Sequence, residues 1–201
     1  MLFRSGLQAE VIVVDDGSSD ETSEVAAAFD PGPMDLVLVR NRINRGKGYS
    51  VRRGMRRAAG EVLLMTDADQ STPLWELERA LPLLAEGAEV VIGSRDMPDS
   101  VISEHQVWYR KLLGQLLRWM RRHVMLPKIR DTQCGFKLFT RRAGKDIFSR
   151  LVDEGFAFDC EVLLLARRLG YEIREIGVTW CNDPDSRVHP FRDPVKMFFA
   201  M

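Results

Sequence analysis

The sequence predicts an α/β fold, with a mostly parallel sheet flanked by helices. Two observations point there. Short apolar runs at 10–15, 36–40, 61–66 and 90–94 alternate with helix-like segments at 19–29, 48–59 and 74–86, the rhythm of βαβ units. Two of those runs also end in acid. Glu10-Val11-Ile12-Val13-Val14 leads into Asp15-Asp16-Gly17-Ser18-Ser19-Asp20, and Glu61-Val62-Leu63-Leu64-Met65-Thr66 leads into Asp67-Ala68-Asp69. Ligands of open α/β sheets collect at the carboxyl ends of strands, so the two acidic strand ends predict a nucleotide site at one edge of the sheet.

The four runs are rich in Val, Leu and Ile, as strands covered on both faces are. After Arg95 the pattern changes. Residues 105–126 form an amphipathic helical stretch with Tyr109, Leu112, Leu113, Leu116, Leu117 and Met120 on one stripe. Arg110, Lys111, Arg118, Arg121 and Arg122 are its charges, and Trp108 and Trp119 share a side. Such a helix suits a membrane interface, or equally a sheet-packed helix with a solvated basic face. Helices near 141–151 and 159–169 and a strand at 172–180 follow. The tail from Asn182 reads as a loop with a short apolar end.

With 201 residues, 45% of them hydrophobic, the chain forms a single domain with a real core. Its net charge is zero but unevenly spread. Residues 1–100 hold 11 Lys+Arg against 17 Asp+Glu, and residues 101–201 hold 18 against 12. The acidic half holds both acidic strand ends, and the basic half (101–201) suits an anionic acceptor or membrane surface, or equally is only uneven surface charge. No nucleic-acid partner is expected. Cys134, Cys160 and Cys181 form no CxxC pair, which suits small buried residues in a reducing compartment rather than a disulfide framework. No run of about 18 apolar residues, enough to span a bilayer, is present.

Two carboxylates spaced i, i+2 at a strand end can share one side of an extended chain. Two hard oxygen ligands there can hold Mg²⁺ or Mn²⁺ and leave positions open for substrate phosphates. Asp67 and Asp69 are therefore the candidate metal ligands, although Asp also caps helices and Ser71-Thr72-Pro73 then starts one. Asp15 and Asp16 can accept from a nucleoside, while Ser18 and Glu21 have capping-box spacing. Asn44-Arg45-Gly46-Lys47-Gly48 precedes a helix. Its glycines and Lys47 suit an anion at the helix N-terminus, or an ordinary basic turn. It is neither a Walker A loop nor GxGxxG, since Val51 replaces the third glycine. No G-x-S-x-G or Ser-His-Asp order suggests a hydrolase.

Taken together these segments resemble family 2 glycosyltransferases of the GT-A, Rossmann-like fold, and within them the branch that glucosylates dolichyl or polyprenyl phosphate. The resemblance rests on Val13–Asp20, Asn44–Gly48, Asp67–Asp69, Gly93-Ser94-Arg95, Asp131-Thr132-Gln133-Cys134-Gly135-Phe136-Lys137-Leu138-Phe139, Phe158-Asp159-Cys160-Glu161 and Val178-Thr179-Trp180. It implies inverting transfer of glucose from UDP-glucose to a polyprenyl-phosphate lipid at the cytosolic face of a membrane, with Mg²⁺ or Mn²⁺. Asp16 would contact the nucleoside beside Asp15, and Asn44 and Lys47 would help hold the nucleotide. Asp67 and Asp69 would hold the metal–diphosphate. Arg95 and Arg110 would meet the acceptor phosphate, and Arg187 would close over the site. Asp131 is the candidate base should the acceptor be a hydroxyl.

Two departures stand out. Some lipid-phosphate relatives carry Gln where Ser71 stands here. The family also opens with a strand bearing a Pro-x-Tyr-Asn-Glu-like motif and a helix, of which only Met1–Leu7 resembles a remnant. The expectation is a truncated first strand, leaving two strand edges unpaired in the middle of the sheet. Two alternatives stay open. One is another nucleotide sugar or a non-lipid acceptor. The other is a nucleotide-sugar-binding fragment without catalysis.

Overall fold

A computed structural model describes residues 8–103, 126 and 129–181. The strands are β1 (Glu10–Asp15), β2 (Asp35–Arg40), β3 (Val62–Thr66), β4 (Val90–Ser94), β5 (Val101–Ile102), β6 (Phe136–Thr140), β7 (Ile173–Gly177) and β8 (Thr179–Trp180). The helices are α1 (Thr22–Ala28), α2 (Lys47–Arg57), α3 (Leu77–Ala85), preceded by a 3₁₀ turn at Leu74–Glu76, α4 (Arg141–Arg150) and α5 (Phe158–Arg168). The predicted basic helix at 105–126, with Arg110, falls outside the described residues apart from the buried Leu126, and so does the tail with Arg187.

The four predicted strand runs all form. β1 and β2 pair in parallel from Glu10↔Asp35 to Asp15↔Arg40. The other two join a four-stranded sheet in the order β3-β6-β4-β7. The departure from a mostly parallel sheet is β6, which runs antiparallel to both β3 and β4, while β4 and β7 are parallel. Its sequence, Phe-Lys-Leu-Phe-Thr, is short and interrupted by a charge, which hides it from an apolar-run reading. The strand expected at 172–180 divides at Val178. β7 pairs with β4, and β8 pairs with the equally unforeseen β5. Among the described residues β1 has only β2 as a strand partner and β3 only β6, so each keeps one edge free of pairing. Helix α2 packs against both.

Side chains alternate across the large sheet with period two. Leu63, Met65, Val90, Ile92 and Phe139 face one side, where they meet Ile147 and Phe148 of α4 and Phe158, Val162 and Leu163 of α5. Phe136, Leu138 and Val91 face the other side, against Leu77 and Ala80 of α3 and Val178. Phe139 and Phe148 meet edge-on at 5.3 Å between centroids. Thr140 caps α4, its hydroxyl accepting from Ala143 N–H at 3.3 Å. The capping box expected at Ser18 and Glu21 does not form. Ser18 N–H turns instead to Asp15, and Asp20 accepts from the first N–H of α1 at Thr22. The N-cap position itself is Glu21, whose side chain makes no capping bond.

The start of α2 touches the 153–155 loop through two glycines. A Cβ on Gly46, which has φ 101°, would lie 2.4 Å from Glu154 O, and one on Gly48 would lie 2.4 Å from Asp153 O and 2.8 Å from Phe158 Cβ. Alanine normally stabilises a helix interior by about 1 kcal/mol over glycine. At Gly48 the backbone clash should outweigh that gain, so Gly48→Ala is expected to lower stability by about 1–3 kcal/mol. Urea unfolding checks the sign, and a variant as stable as wild type would show that the loop yields freely.

Candidate active site

Antiparallel β6 brings its approach loop, residues 131–135, to the end of the sheet where β3 and β4 finish. Asp67 follows β3 directly. Its N–H donates to Gly135 O at 3.1 Å. Its carboxylate lies on the Gly135 Cα, where an added Cβ would come within 2.0 Å of Oδ2. The chain then turns rather than staying extended. Gln70 N–H returns to Asp67 O at 3.2 Å with Gln70 at φ 51°, and Asp69 Oδ1 accepts from Ser71 N–H at 2.9 Å. The expectation of two carboxylates on one side of a strand is thus corrected, because β3 stops at Thr66 and the pair sits in a tight turn. Lys47 reaches across from α2 and places Nζ 2.7 Å from Asp67 Oδ1. Burial would lower the Lys47 pKa, but Asp67, Asp159 and Asp69 more than offset it and hold the ammonium above its ordinary value.

Arg95 follows β4 and is clasped by Asp131. The Asp131 carboxylate accepts from Arg95 Nε at 2.6 Å, Nη2 at 3.0 Å and N–H at 3.1 Å, and from Gln133 N–H at 3.0 Å. Glu175 in turn holds Asp131 N–H at 2.8 Å. The Asp131 side chain is 2% exposed and that of Arg95 25%. The Arg95 guanidinium also lies 5.6 Å from the centre of the Trp180 ring. Burial pushes Asp131 up, yet the Arg95 charge and hydrogen bonds win and hold it far below the usual carboxylate range. Arg95 is raised despite its own burial. A carboxylate so acidic is a weak proton acceptor, so the arrangement suits Asp131 to anchoring Arg95 rather than to the base role.

The residues expected on the nucleoside side are tied into the scaffold. Asp15 is buried, accepts from Ser18 N–H at 2.9 Å and from the Ser23 hydroxyl, and pairs with the Arg40 guanidinium at 3.3 Å. The Ser18 and Ser23 hydrogen bonds lower its pKa to about 2. Asp16 accepts from Asn41 Nδ2 at 2.7 Å, Arg45 N–H at 2.9 Å and Gly46 N–H at 2.7 Å. Burial opposes these bonds but the carboxyl still ends below its ordinary value. Asn44 is exposed, its backbone passing over Gly17, where a Cβ would come within 2.8 Å of Asn44 N.

The anion site expected at the start of α2 is reduced to a side chain. Gly48 N–H donates to Gly155 O at 3.1 Å and Tyr49 N–H to Glu154 O at 3.2 Å. Glu154 also pairs with Arg45 at 2.9 Å and with Arg52 at 3.2 Å. The glycines admit the 153–155 backbone rather than a phosphate, and Lys47 alone of this turn faces the aspartates.

Sequence reasoning gave no role to Asn41, Glu154, Lys137 or Asp159. Lys137 is 0% exposed in the row of apolar residues facing α5. Its Nζ lies 2.5 Å from Asp159 Oδ1 and 2.7 Å from Cys134 O. A lysine within Phe-Lys-Leu-Phe was the signal available. Cys134 and Cys160 are buried as expected, whereas Cys181 is exposed.

The family model for glycosyl transferase family 2 matches residues 2–148. The chain is 38% identical over 196 residues to the human dolichyl-phosphate beta-glucosyltransferase, covering 94% of this chain and 60% of that protein. It is 34% identical over 195 residues to the Dictyostelium discoideum protein of that name, with the same two shares. The chain thus spans about three fifths of the length of these relatives. Among solved structures, mannosyl-3-phosphoglycerate synthase from Rubrobacter xylanophilus aligns with TM-score 0.67 at 19% identity, over 99% of this chain and 63% of that one. Glucosyl-3-phosphoglycerate synthase from Mycobacterium tuberculosis, in complex with Mn²⁺ and UDP-glucose, aligns with TM-score 0.60 at 20% identity, over 94% and 66%. These two establish the GT-A fold, while the family match and the curated relatives show that the chain belongs to glycosyl transferase family 2.

Proposed function

We propose that this chain carries the catalytic domain of an inverting enzyme that moves glucose from UDP-glucose to the phosphate of a dolichyl or polyprenyl lipid. The observation that carries the reading is the placement at one end of the sheet of the Asp67–Asp69 turn, after β3, and of Arg95, after β4, in a chain 38% identical to a dolichyl-phosphate beta-glucosyltransferase. Acid on one side suits a metal–diphosphate, and an anchored guanidinium suits an acceptor phosphate. Residues 1–100 would serve mainly the nucleotide sugar and 101–201 mainly the acceptor, with Arg95 at the boundary.

The donor set fits a divalent ion. Asp67 and Asp69 offer hard oxygens, and Asp67 already takes a cation, the Lys47 ammonium at 2.7 Å. Among the described residues no group of three or more His, Cys, Asp or Glu converges. That suits Mg²⁺ or Mn²⁺ sharing its coordination with substrate phosphates rather than a closed protein cage. When bound, such an ion neutralises charge on the departing diphosphate. Lys47 adds a second positive charge beside it. Arg95, held by Asp131, presents its remaining N–H groups to the acceptor. The acceptor phosphate oxygen forms the new bond to the sugar's anomeric carbon as the bond to UDP breaks. That oxygen is already an anion near neutral pH, so no proton acceptor is required. The membrane contact and its cytosolic side belong to this proposal. Among the described residues no helix is long and apolar enough to cross a membrane.

Transfer of labelled glucose from UDP-glucose to polyprenyl phosphate, with Mn²⁺ or Mg²⁺, tests the reading. Asp69→Ala should reduce the rate about 100-fold or more by removing an electrostatic partner of the transition state. Undiminished transfer by that variant would sink the assignment. Transfer only to free saccharides would favour a non-lipid acceptor, and metal-dependent UDP binding without turnover a binding fragment.

A second test concerns Asp131. Asp131→Asn leaves a half-buried guanidinium without its counter-charge and should cost about 1–3 kcal/mol near neutral pH. The folded-state pKa is depressed below the unfolded value of about 3.9. The ion pair's contribution is therefore complete above about pH 4 and drains as pH falls through the lowered pKa. Urea titrations at descending pH should show wild type and variant converging. A gap that stays constant in acid would mean that charge is not what Asp131 contributes.

A further inference from the structure

Two charges lie buried beneath the candidate donor site and take no part in the reaction described above. Lys137 is 0% exposed, in a strand whose neighbours on the same face are apolar. Its ammonium lies 2.5 Å from Asp159 Oδ1 and 2.7 Å from Cys134 O. The next peptide is that of Gly135, the surface on which Asp67 rests. Asp67 is fixed to it twice, by its own N–H to Gly135 O at 3.1 Å and by a carboxylate so close that a Cβ would overlap it. Burial pushes the Asp159 carboxyl up against the pull of Lys137 and Lys47.

We propose that Lys137 is a positioning residue for Asp67, setting the affinity for a metal–nucleoside diphosphate from inside the core. It acts by pinning the Cys134 carbonyl and so the Gly135 platform on which Asp67 rests. A purely structural account is incomplete, because a buried ion pair can be exchanged for apolar side chains of similar volume at little or no cost in stability. Such an exchange would keep the core and lose the grip on the Cys134 carbonyl. The proposal rests on the donor-site reading above.

The test is binding of Mn²⁺–UDP, by calorimetry, to the full chain and to two variants. Lys137→Met/Asp159→Leu removes both charges together and is expected to unfold cooperatively near the wild-type temperature. Its affinity should nonetheless drop about 10-fold or more, the usual cost of losing a group that supports a metal ligand. Gly135→Ala leaves Lys137 and Asp159 in place but displaces the Asp67 carboxylate, and should lower affinity likewise. Wild-type affinity in either folded variant would overturn the positioning role while leaving the donor reading intact. Should the double variant fail to fold, wild-type affinity of Gly135→Ala would still overturn the positioning role, because Asp67 would then need no positioning. Wild-type protein that binds no Mn²⁺–UDP would instead overturn the donor reading, and the positioning role with it.

Discussion

The candidate site depends on one strand running the wrong way for a parallel sheet. β6 lies between β3 and β4 and opposes both, so its entry loop stands where their exits are. Thr66↔Phe136 and Ile92↔Lys137 set the register. They leave Asp67 over Gly135, and they bring Arg95 to Asp131. A parallel strand in that place would put residues 131–135 at the far end, away from every acidic strand end. The register is also well specified. A slip by one residue would exchange Phe136 and Leu138 for Lys137 and Phe139, driving an ammonium into the apolar layer under α3 formed by Leu77, Ala80, Val91 and Val178 and away from Asp159.

Buried charge marks this site, though the carboxylates of Asp15 and Glu76 are likewise buried against Arg40 and Arg79. Pairs such as Arg174–Glu86 and Arg150–Asp146 are well exposed, and each contributes about 0–1 kcal/mol. Arg95–Asp131 and Lys137–Asp159 are different. Each has at least one member nearly or wholly removed from water, so breaking either leaves a costly orphan. Yet an apolar pair would fill the same space without the desolvation penalty. What the charged versions add is fixed direction. Asp131 spends its oxygens on Arg95 N–H, Nε and Nη2, which allows one orientation of the guanidinium, and Glu175 fixes Asp131 from behind.

Much of the architecture was legible because it is written in apolar runs. β1 and β4 fall on their expected residues, and α2, α4 and α5 begin or end within a residue or so of their periodic segments. Asp67 and Lys47, read from motifs at a strand end and a helix start, meet at 2.7 Å. What sequence could not show is partnership across distance. β6 is too short and too mixed to stand out. The Asp15–Asp20 segment reads equally well as ligand contact or as scaffold until Ser18, Ser23 and Asn41 are seen occupying its carboxylates. The glycines at 46 and 48 were read as making room for phosphate. The close approach is real, but the group that approaches is residues 153–155, more than 100 positions away. Local pattern reports that space is needed, not what fills it.

That substitution changes how the start of α2 works. A free helix N-terminus offers unsatisfied N–H groups to any anion. Here the N–H groups of Arg45 and Gly46 are taken by Asp16, and those of Gly48 and Tyr49 by the 154–155 carbonyls. The turn is therefore no general anion trap. It is a braced platform, with Asp16 on one side and Glu154 on the other, from which one long side chain projects. Lys47 gains its directionality from that bracing, and its charge lands on Asp67 rather than on solvent. Asp16 thus links the two ends of the site through the backbone. The carboxylate that follows β1 fixes the turn whose lysine reaches the carboxylate that follows β3, although β1 and β3 themselves share no strand pairing.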